Sequence, residues 1–473
     1  MQHYQNYIAG TWRDSERSLT VMNPSTDEPC ASIALASHAD ADDAMQAARA
    51  CVNSGALTKV RPAERTAWLL ALAQAIRAVT AQGTALLALE NGKTQADARG
   101  EWEEAARYCE YYAGMADKLE GRSIPLGEDY VDFTQYVPHG VSLHIIPWNF
   151  PVGLAARSLA PALAAGNAVV IKSPEVSPVA LTVLLKACEQ AGLPQGAVQL
   201  LCAEGADVGA YLVSHPETDH IVFTGSVPTG QHIMQSAAQY ATPTVMELGG
   251  KSAGIVCADA QLDKVLESVR NGIFFNAGQV CSALARLLVH RSRYEEVKQA
   301  VVDLAEGLSV GPAADNPDIT PLISRQQQER VLAMLQNARD EGANILCGGT
   351  APDLPGYFIN PTIIAATPDL TIAREEVFGP ALVIMPYDDE AEAVHMANDS
   401  PYGLVAGVFG ESLNQTLRLS GQLRAGQVFV NEWFAGGVET PFGGFGLSGF
   451  GREKGQEAIY GYVRTRNIAI RLS

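Results

Sequence analysis

The chain has 473 residues and a formal net charge of −19, which results from 33 basic and 52 acidic side chains. Its hydrophobic fraction of 47% is sufficient for a large core and excludes a disordered chain. The acidic balance argues against a nucleic-acid partner. No apolar run reaches the length of a membrane span, and the first residues show no signal-peptide pattern. We therefore expect a cytoplasmic protein with no membrane partner.

Eight cysteines are scattered along the chain, and none of them forms a CxxC pair. The nine histidines show no spacing typical of zinc ligands. We therefore expect no metal and, in a reducing compartment, mostly buried thiols. The open question is whether one of the eight cysteines does chemistry.

Two long helices are predicted in the first part of the chain. Pro62 suits a first helical turn, and apolar residues recur every four positions after it, which predicts an amphipathic helix over 62–81. Thr94 is a typical residue to open a second helix, predicted over 94–119.

Short apolar runs alternate with helical stretches from about residue 140 onwards. Strands are predicted at 141–146, 167–172, 197–202 and 219–223. Helices are predicted at 151–165, 178–191, 205–214 and 226–240. Continuous apolar strands separated by helices indicate a parallel sheet that is covered on both faces.

A second alternating region extends from residue 250 to about 455. Its predicted strands are 253–257, 286–290, 404–409 and 426–430. The last residues, 460–472, have the pattern of a strand with one apolar face. Such a strand needs a partner, and pairing with another subunit is one solution.

Two familiar patterns overlap at residues 250–254, and neither fits its context. The residues match the GxSxG turn of esterases, but a strand rather than a helix is predicted after Ser252. They also contain GKS, as a phosphate-binding P-loop does, but Val245 stands where that loop requires glycine.

A better candidate for phosphate binding is FTGSVPTG at 223–230, which follows a predicted strand and opens a helix. Small residues there let backbone N–H groups approach an anion at the helix N-terminus, although an ordinary tight turn explains the same pattern. Lys172 and Glu175 follow another predicted strand, at the sheet edge where nucleotides bind. A carboxylate accepts hydrogen bonds from ribose hydroxyls and repels a 2′-phosphate, so Glu175 favours NAD over NADP. A solvated charge pair is the alternative.

Cys281 follows a Gly-Gln turn in FNAGQVCS, which predicts a thiol at a helix start, where the thiolate is stabilised. A nucleophilic cysteine also needs an anion-stabilising donor and a base. Asn149 in WNFP offers an amide donor, and Glu247 offers a carboxylate among glycines. Packing in the core is the alternative reading of this cysteine.

Five long motifs occur in one order along the chain: PWNFP at 147–151, MELGGKS at 246–252, FFNAGQVCSA at 274–283, EEVFGP at 375–380 and PFGGFGLSGFGREKG at 441–455. Together they closely resemble the NAD(P)-dependent aldehyde dehydrogenase superfamily, of the non-acylating type. The resemblance extends from NYIAGTW near the start to the terminal strand.

The resemblance implies an α/β fold with a Rossmann-like cofactor domain, an α/β catalytic domain and a small β oligomerisation element. The NAD-binding domain would take 1–118 and 140–248, the catalytic domain 249–459, and the oligomerisation element 119–139 and 460–473. A homodimer or homotetramer is implied, and NAD is the expected cofactor.

The resemblance also assigns site residues. The implied catalytic residues are Cys281, Glu247, Asn149 and Glu453. The implied cofactor-binding residues are Trp148, Lys172, Glu175, Gly205, Gly225, Ser226, Leu248, Glu376 and Phe378. The implied substrate-binding residues are Phe150, Leu154, Arg157, Phe275, Val280, Ser282, Trp433, Phe434 and Phe442.

Individual roles follow from the matching motifs. Cys281 resembles the nucleophile, and Asn149 and the Cys281 backbone N–H resemble the oxyanion donors. Glu247 resembles the general base, with Glu453 on its proton path, and Glu376 resembles the residue that holds the nicotinamide ribose. Relatives that pass the acyl group to coenzyme A usually lack the glutamate at 247, so hydrolysis to an acid is favoured. A coenzyme A-acylating enzyme and a non-enzymatic homologue are the alternatives.

The aldehyde itself is predicted only by class. Aromatic residues suit a flat or apolar aldehyde, whereas Arg157 stands where succinate-semialdehyde dehydrogenases carry an arginine for the substrate carboxylate. The second arginine of those enzymes is Phe275 in this chain. A semialdehyde or an aromatic aldehyde is therefore expected, and pairing of Arg157 with a protein carboxylate is the competing interpretation.

Overall fold

The computed structural model of the protein describes residues 1–472, and Ser473, the last residue of the predicted oligomerisation element, lies outside the described part. The helices of the described chain are α1 His38–Ser54, α2 Pro62–Asn91, α3 Gln95–Ala113, α4 Pro151–Ala165, α5 Ala180–Gln190, α6 Ala210–Val213, α7 Val227–Ala237, α8 Leu262–Val269, α9 Tyr294–Glu306, α10 Arg325–Asp340, α11 Thr371–Arg374, α12 Glu390–Asn398 and α13 Leu413–Ser420.

The strands are numbered in the same way. They are β1 Gln2–Tyr4, β2 Asn6–Ile8, β3 Thr11–Arg13, β4 Ser18–Asn23, β5 Glu28–Ala34, β6 Ser123–Ile124, β7 Tyr130–Pro138, β8 Val141–Ile145, β9 Ala168–Ser173, β10 Val198–Cys202, β11 His220–Thr224, β12 Thr244–Glu247, β13 Ser252–Val256, β14 Leu284–His290, β15 Asn344–Cys347, β16 Thr362–Ala365, β17 Ala381–Tyr387, β18 Val405–Phe409, β19 Gln427–Val430, β20 Gly449–Phe450 and β21 Val463–Arg471.

The first large sheet has the order β20-β12-β11-β8-β9-β10-β2-β3. Its five central strands, from β12 to β10, are parallel, and antiparallel strands close both edges. Helix α4 is buried along nearly its whole length because Ala and Leu fill all its faces. The prediction of a covered parallel sheet is confirmed, and each strand predicted here lies within two residues of its observed bounds.

The second large sheet has the order β15-β16-β17-β14-β13-β18-β19 and is parallel except for β15. It has its own core, in which β13, β14 and β17 contribute fully buried Val, Leu and Ile side chains. Both α/β sheets therefore follow from the alternation of apolar strands and helices in the sequence.

Two smaller sheets complete the described chain. Strands β1, β5 and β4 form one, and β21, β7 and β6 form an antiparallel ribbon. In the ribbon, Val463 pairs with Pro138 and Arg471 pairs with Tyr130. The terminal strand thus has a partner within its own chain, and apolar residues such as Ile470 remain exposed on it.

Several predicted helix bounds are wrong. The helix expected over 62–81 continues to Asn91, where Gly92 adopts a left-handed conformation with φ 82° and ends it. The helix expected over 94–119 ends at Ala113, because Gly114 begins a turn that leads to the ribbon. The helix expected over 205–214 is present over 205–213, as a π-helical turn at Gly205–Gly209 that continues into α6.

Candidate active site

A cavity of about 240 Å³ lies between the carboxyl ends of the parallel strands of the first sheet and two loops of the second. Residues from six separated segments of the chain form its wall. They are Pro147, Trp148, Asn149, Thr224, Gly225, Ser226, Glu247, Leu248, Gly249, Cys281, Gln327, Arg330, Glu376 and Phe378. The predicted catalytic residues Asn149, Glu247 and Cys281 therefore share one cavity.

The loop that carries Cys281 is an irregular turn between α8 and β14. Asn276, Ala277 and Gly278 have φ values of 50°, 52° and 73°, three consecutive left-handed residues. Glycine is required at 278, since a Cβ there would lie 2.2 Å from the carbonyl oxygen of Gly379. The prediction that Cys281 opens a helix is wrong, because the chain enters strand β14 three residues later.

Gln279 fastens this loop and links it to Asn149. Its Oε1 accepts a hydrogen bond from the Ile323 backbone N–H at 2.9 Å, and its Nε2 donates to the Asn276 carbonyl at 3.1 Å. The Asn149 Nδ2 donates to the Gln279 carbonyl at 3.0 Å. The buried Asn149 amide is thus held two residues from Cys281 along the loop, where it can donate to an oxygen that develops charge.

Glu247 ends strand β12 and is 1% exposed. Neither of its carboxylate oxygens has a hydrogen-bond partner among the described residues. Burial raises the pKa of Glu247 well above its usual value, and the nearby Glu453 carboxylate adds to the effect. Burial likewise raises the pKa of the Cys281 thiol to about 12. The Cys281 thiol therefore holds its proton at neutral pH, and burial favours the protonated form of Glu247.

Arg157 and Glu453 form a buried ion pair through Nη2 and Oε2, with side chains 7% and 3% exposed. The Arg157 guanidinium also lies 5.2 Å from the centre of the Phe442 ring. Of the two interpretations that the sequence left open, pairing with a protein carboxylate is the one that the structure shows. The positive charge of Arg157 is balanced inside the protein, beside Glu247.

Glu376 reaches the cavity because glycines clear its path. Its Oε1 accepts a hydrogen bond from the Gly250 N–H at 3.0 Å, and a Cβ on Gly249 would lie 2.4 Å from its Oε2. Burial raises the pKa of Glu376 to about 7. Phe378, with a left-handed φ of 56°, meets Trp148 edge to face at 5.4 Å between ring centres.

A second cluster lies beyond this cavity, at the ends of β9 and β10. Lys172 Nζ contacts Glu175 Oε1 at 2.9 Å, and the Gly205 N–H donates to the same oxygen at 2.6 Å. Lys172 is buried, whereas the Glu175 side chain is 42% exposed. The structure thus brings together three residues that were assigned to the cofactor, at a carboxyl end of parallel strands.

The helix that was predicted after FTGSVPTG is α7, and Ser226 caps it. The Ser226 Oγ accepts a hydrogen bond from the Thr229 N–H. Ser226 is exposed and lines the cavity. The Gly225 N–H donates to the Glu247 carbonyl at 3.0 Å, which ties this turn to the end of β12. A Cβ on Gly230 would lie 2.6 Å from Leu248, so the helix packs closely on that residue.

Three aromatic residues assigned to the aldehyde form a contiguous row. Phe150 stacks on Phe275 with ring centres 5.9 Å apart, and Phe275 meets Phe434 at 6.3 Å. Phe275 is 36% exposed, so the row reaches the surface. The row provides an apolar surface.

The remaining residues assigned to the aldehyde lie deeper or on the helix. Trp433 is 4% exposed, and its Nε1 donates to the Ser282 carbonyl at 3.0 Å, which supports the cysteine loop from below. Phe442 and Val280 are buried, and Leu154 is partly buried on α4. Trp433 therefore contacts the loop backbone and the core.

Comparison with known proteins agrees with this geometry. The sequence profile described as "Aldehyde dehydrogenase family" matches residues 12–468. The chain belongs to the aldehyde dehydrogenase family. The family and fold predicted from the five motifs, an enzyme family of aldehyde-oxidising oxidoreductases, are thereby confirmed.

Relatives of this aldehyde dehydrogenase family member match it over nearly their whole length. It is 38% identical to phenylacetaldehyde dehydrogenase of Pseudomonas fluorescens over 480 residues, covering 99% of this chain and 96% of that protein. It is 37% identical to human retinal dehydrogenase 2, covering 98% and 91%. An NAD+ complex of an aldehyde dehydrogenase from Bacillus cereus has a TM-score of 0.98 at 35% identity, covering 100% and 97%.

Two cavity residues of this aldehyde dehydrogenase family member were missed from the sequence. Gln327 and Arg330, one turn apart on α10, donate to the carbonyls of Phe378 and of Val377, at 2.8 and 2.7 Å. They hold the loop that carries Glu376. No sequence signal links α10 to that loop, because the contacts are to backbone oxygens and are long-range.

Two features are absent from residues 1–472, the part of the chain that the structure describes. Among these residues, no group of three or more His, Cys, Asp or Glu side chains is arranged to hold a metal ion. No helix in the same range is both long and apolar enough to span a membrane.

Proposed function

We propose that the protein catalyses the NAD+-dependent oxidation of an apolar aldehyde, preferably an aromatic one, to the carboxylic acid. The observation that carries the proposal is that Asn149, Glu247, Cys281 and Glu376 line one cavity although they come from four distant motifs. An amide donor, a carboxylate, a thiol and a ribose-binding carboxylate are the set that this reaction needs. The balanced reaction converts the aldehyde, NAD+ and water into the acid, NADH and a proton.

The first step is loss of the Cys281 thiol proton to solvent and addition of the sulfur to the aldehyde carbon. The C–S bond forms, the carbonyl π bond breaks, and its electron pair places negative charge on the former carbonyl oxygen. Asn149 Nδ2 and the Cys281 backbone N–H are proposed to donate to that oxygen. Loss of one such donor typically costs about 2.7–4 kcal/mol in the barrier. The C–H electron pair then leaves as hydride, and a thioester remains on Cys281.

The cavity residues fit a dinucleotide. Gly225 and Gly249 line the cavity without side chains, and Ser226 caps the N-terminus of α7, where an anion is stabilised. We propose that Glu376 binds the nicotinamide ribose and that Glu175, with Lys172, binds the adenosine ribose. NAD+, when bound, supplies the hydride acceptor.

Glu247 is proposed to complete turnover by taking a proton from the water that attacks the thioester. The C–S bond then breaks, the acid leaves and the proton passes toward Glu453. This role favours hydrolysis over transfer to coenzyme A, because a buried carboxylate at the thioester serves a water nucleophile. Burial raises the pKa of Glu247 and favours its protonated form, so we expect turnover to rise with pH as that proton is lost.

The preference for an apolar aldehyde rests on the surroundings of Arg157. Its charge is paired with Glu453 and covered by Phe442, so a substrate carboxylate would have to displace a buried partner. Phe150, Phe275 and Phe434 instead offer ring surface. A semialdehyde is the second candidate, since the Arg157 guanidinium contacts Phe442, another residue assigned to the aldehyde.

The proposal is tested by measuring NADH formation with phenylacetaldehyde, benzaldehyde, hexanal, succinate semialdehyde and glutarate semialdehyde, each with NAD+ and with NADP+. We expect the highest kcat/KM for the aromatic aldehydes with NAD+ and a free acid as product. A higher kcat/KM for the semialdehydes would show that the substrate is a semialdehyde and not an aromatic aldehyde. Product formation only when coenzyme A is added would show that the acyl group is transferred to coenzyme A and not hydrolysed.

We further propose that 1–118 with 140–248 act as the NAD-binding domain, 249–459 as the catalytic domain, and 119–139 with 460–473 as the oligomerisation element. The exposed apolar side chains on the β21 ribbon support a homodimer or homotetramer. All eight cysteines are free, which fits the reducing cytoplasm. Light scattering of the full chain tests the assembly, and a monomer would contradict it.

A further inference from the structure

A buried ion pair outside the assigned site holds the segment that carries Asn149. Lys93 stands at the corner between α2 and α3, and Glu101 lies two turns along α3. The Lys93 Nζ contacts Glu101 Oε2 at 2.6 Å, with side chains 1% and 2% exposed. Neither residue lines the cavity.

The contacts of this pair converge on the backbone from Asn149 onwards. Lys93 Nζ donates to the Asn149 carbonyl at 2.8 Å. Glu101 Oε1 accepts from the N–H groups of Val152 and Gly153, at 2.8 and 3.0 Å, and so caps the start of α4. A Cβ on Gly153 would lie 3.2 Å from Glu101, which explains the glycine.

The same corner also reaches the residues on either side of Asn149. Asn91, at the end of α2, donates to the Trp148 carbonyl at 2.7 Å. The Lys93 ammonium lies 4.2 Å from the centre of the Phe150 ring, at the start of the aromatic row. The corner between α2 and α3 therefore contacts Trp148, Asn149 and Phe150, of which the first is assigned to the cofactor and the last to the aldehyde.

Stability alone does not account for a pair of this kind. Replacing a buried ion pair by apolar residues is often neutral or stabilising, because both charges lose their hydration. A role in fixing geometry does account for the pair. The ammonium is bonded to the Asn149 carbonyl and the carboxylate to two N–H groups of α4, and together these bonds hold the backbone from Asn149 to Gly153 in one position. We propose that Lys93, held by Glu101, is a positioning residue that orients the Asn149 amide toward the developing oxyanion.

This inference rests on the proposed function, and its test uses a double variant to avoid an uncompensated buried charge. Lys93→Met/Glu101→Gln removes both charges, and the glutamine retains an oxygen for the N-terminus of α4. We expect the rate of the NADH burst to fall about 100-fold, the typical cost of a 1 Å displacement of a reacting group. The Kd for NAD+ and the rate of Cys281 alkylation should stay within about twofold of wild type.

The decisive comparison repeats the substitution in an Asn149→Ala background. If Lys93 acts through the Asn149 amide, the pair substitution adds less than about threefold there, because the group that it positions is gone. An equal loss in both backgrounds, or a parallel loss of NAD+ affinity, would overturn the proposal. Failure of the proposed function is a separate result, namely no burst in the wild-type protein.

Glu90→Gln is the matched control. Glu90 caps the start of α5 as Glu101 caps α4, accepting from the N–H groups of Val179 and Ala180, both at 2.7 Å. It is equally buried and belongs to the same corner, but its backbone contacts are to the start of α5 and not to residues 148–153. We expect Glu90→Gln to shift the thermal midpoint without changing the burst rate by more than about twofold, and a burst loss equal to that of the Lys93 variant would also overturn the proposal.

Discussion

The residues assigned to the cofactor and the residues assigned to the aldehyde form two sides of the site, and these two sides are built in different ways. The side assigned to the cofactor stands on the ends of parallel strands, with Lys172 in β9, Ser226 after β11 and Leu248 after β12. The side assigned to the aldehyde consists of loop residues such as Phe150 and Phe434, which meet only through the tertiary fold. Backbone positions therefore define the first side, and side-chain packing defines the second.

This difference predicts how each side responds to change. A site made of strand ends keeps its geometry when one side chain is altered, so a substitution on the cofactor side should change cofactor affinity only modestly. A site in which a thiol, an amide and two carboxylates share one buried volume should respond strongly, because each group sets the charge state of the others.

Glu247→Gln should lower steady-state turnover by about 10²–10⁴-fold while leaving a burst of NADH, because the amide cannot take the proton from the attacking water. Rapid mixing with phenylacetaldehyde and NAD+ measures both phases. A burst that falls as far as the turnover would show that Glu247 acts before the thioester forms.

The reactivity of the Cys281 thiol should depend steeply on pH in the protein without cofactor. Because burial raises its pKa to about 12, the thiolate fraction increases tenfold for each pH unit at all lower pH values. Inactivation by iodoacetamide at pH 6.5, 7.5 and 8.5 should therefore accelerate about tenfold per step. A rate that levels off at pH 7.5 would contradict a buried, protonated thiol.

Arg157→Gln should lower kcat/KM by about tenfold for charged and neutral aldehydes alike, because it removes the counter-charge of Glu453 and not a contact to substrate. The measured quantity is the ratio of kcat/KM for succinate semialdehyde to that for phenylacetaldehyde. A selective loss on the semialdehyde would instead place Arg157 against the substrate carboxylate. Loss of one partner of a buried pair is destabilising, so the assay is run below the thermal midpoint of the variant.

The smallest effect is expected on the cofactor side. Glu175→Ala should change the ratio of kcat/KM for NAD+ to that for NADP+ by about fivefold in favour of NADP+, as about 1 kcal/mol at a half-exposed site implies. The substitution removes the charge that repels a 2′-phosphate and frees Lys172 to attract it. An unchanged ratio would show that the Lys172–Glu175 pair does not contact the ribose. Turnover with saturating NAD+ serves as the control and should be unaffected.

The same division explains what the sequence could predict. The periodicity of the sequence located both parallel sheets. Lys172 and Ser226 could then be placed at the site because the carboxyl ends of parallel strands lie along one edge of a sheet. The five motifs identified Cys281, Asn149 and Glu247, which the structure brings into one cavity.

Contacts between residues that are distant in the sequence could not be predicted from the motifs or the periodicity. The left-handed run at 276–278, which replaces the expected helix start, depends on the close approach of Gly379. Pairing of Arg157 with Glu453 remained one of two interpretations, since either partner satisfies a guanidinium. Lys93 gave no signal at all, because its acceptors are a carboxylate eight residues away and a backbone carbonyl.

The most direct test of the central claim is the NADH burst of the full-length protein with phenylacetaldehyde and NAD+, with Cys281→Ala beside it. We predict one NADH per active site in the wild-type burst and an acyl adduct on the peptide that contains Cys281. The variant should show neither, with activity at least about 10⁴-fold lower. Retained NADH formation by Cys281→Ala, or an adduct on another residue, would contradict the account.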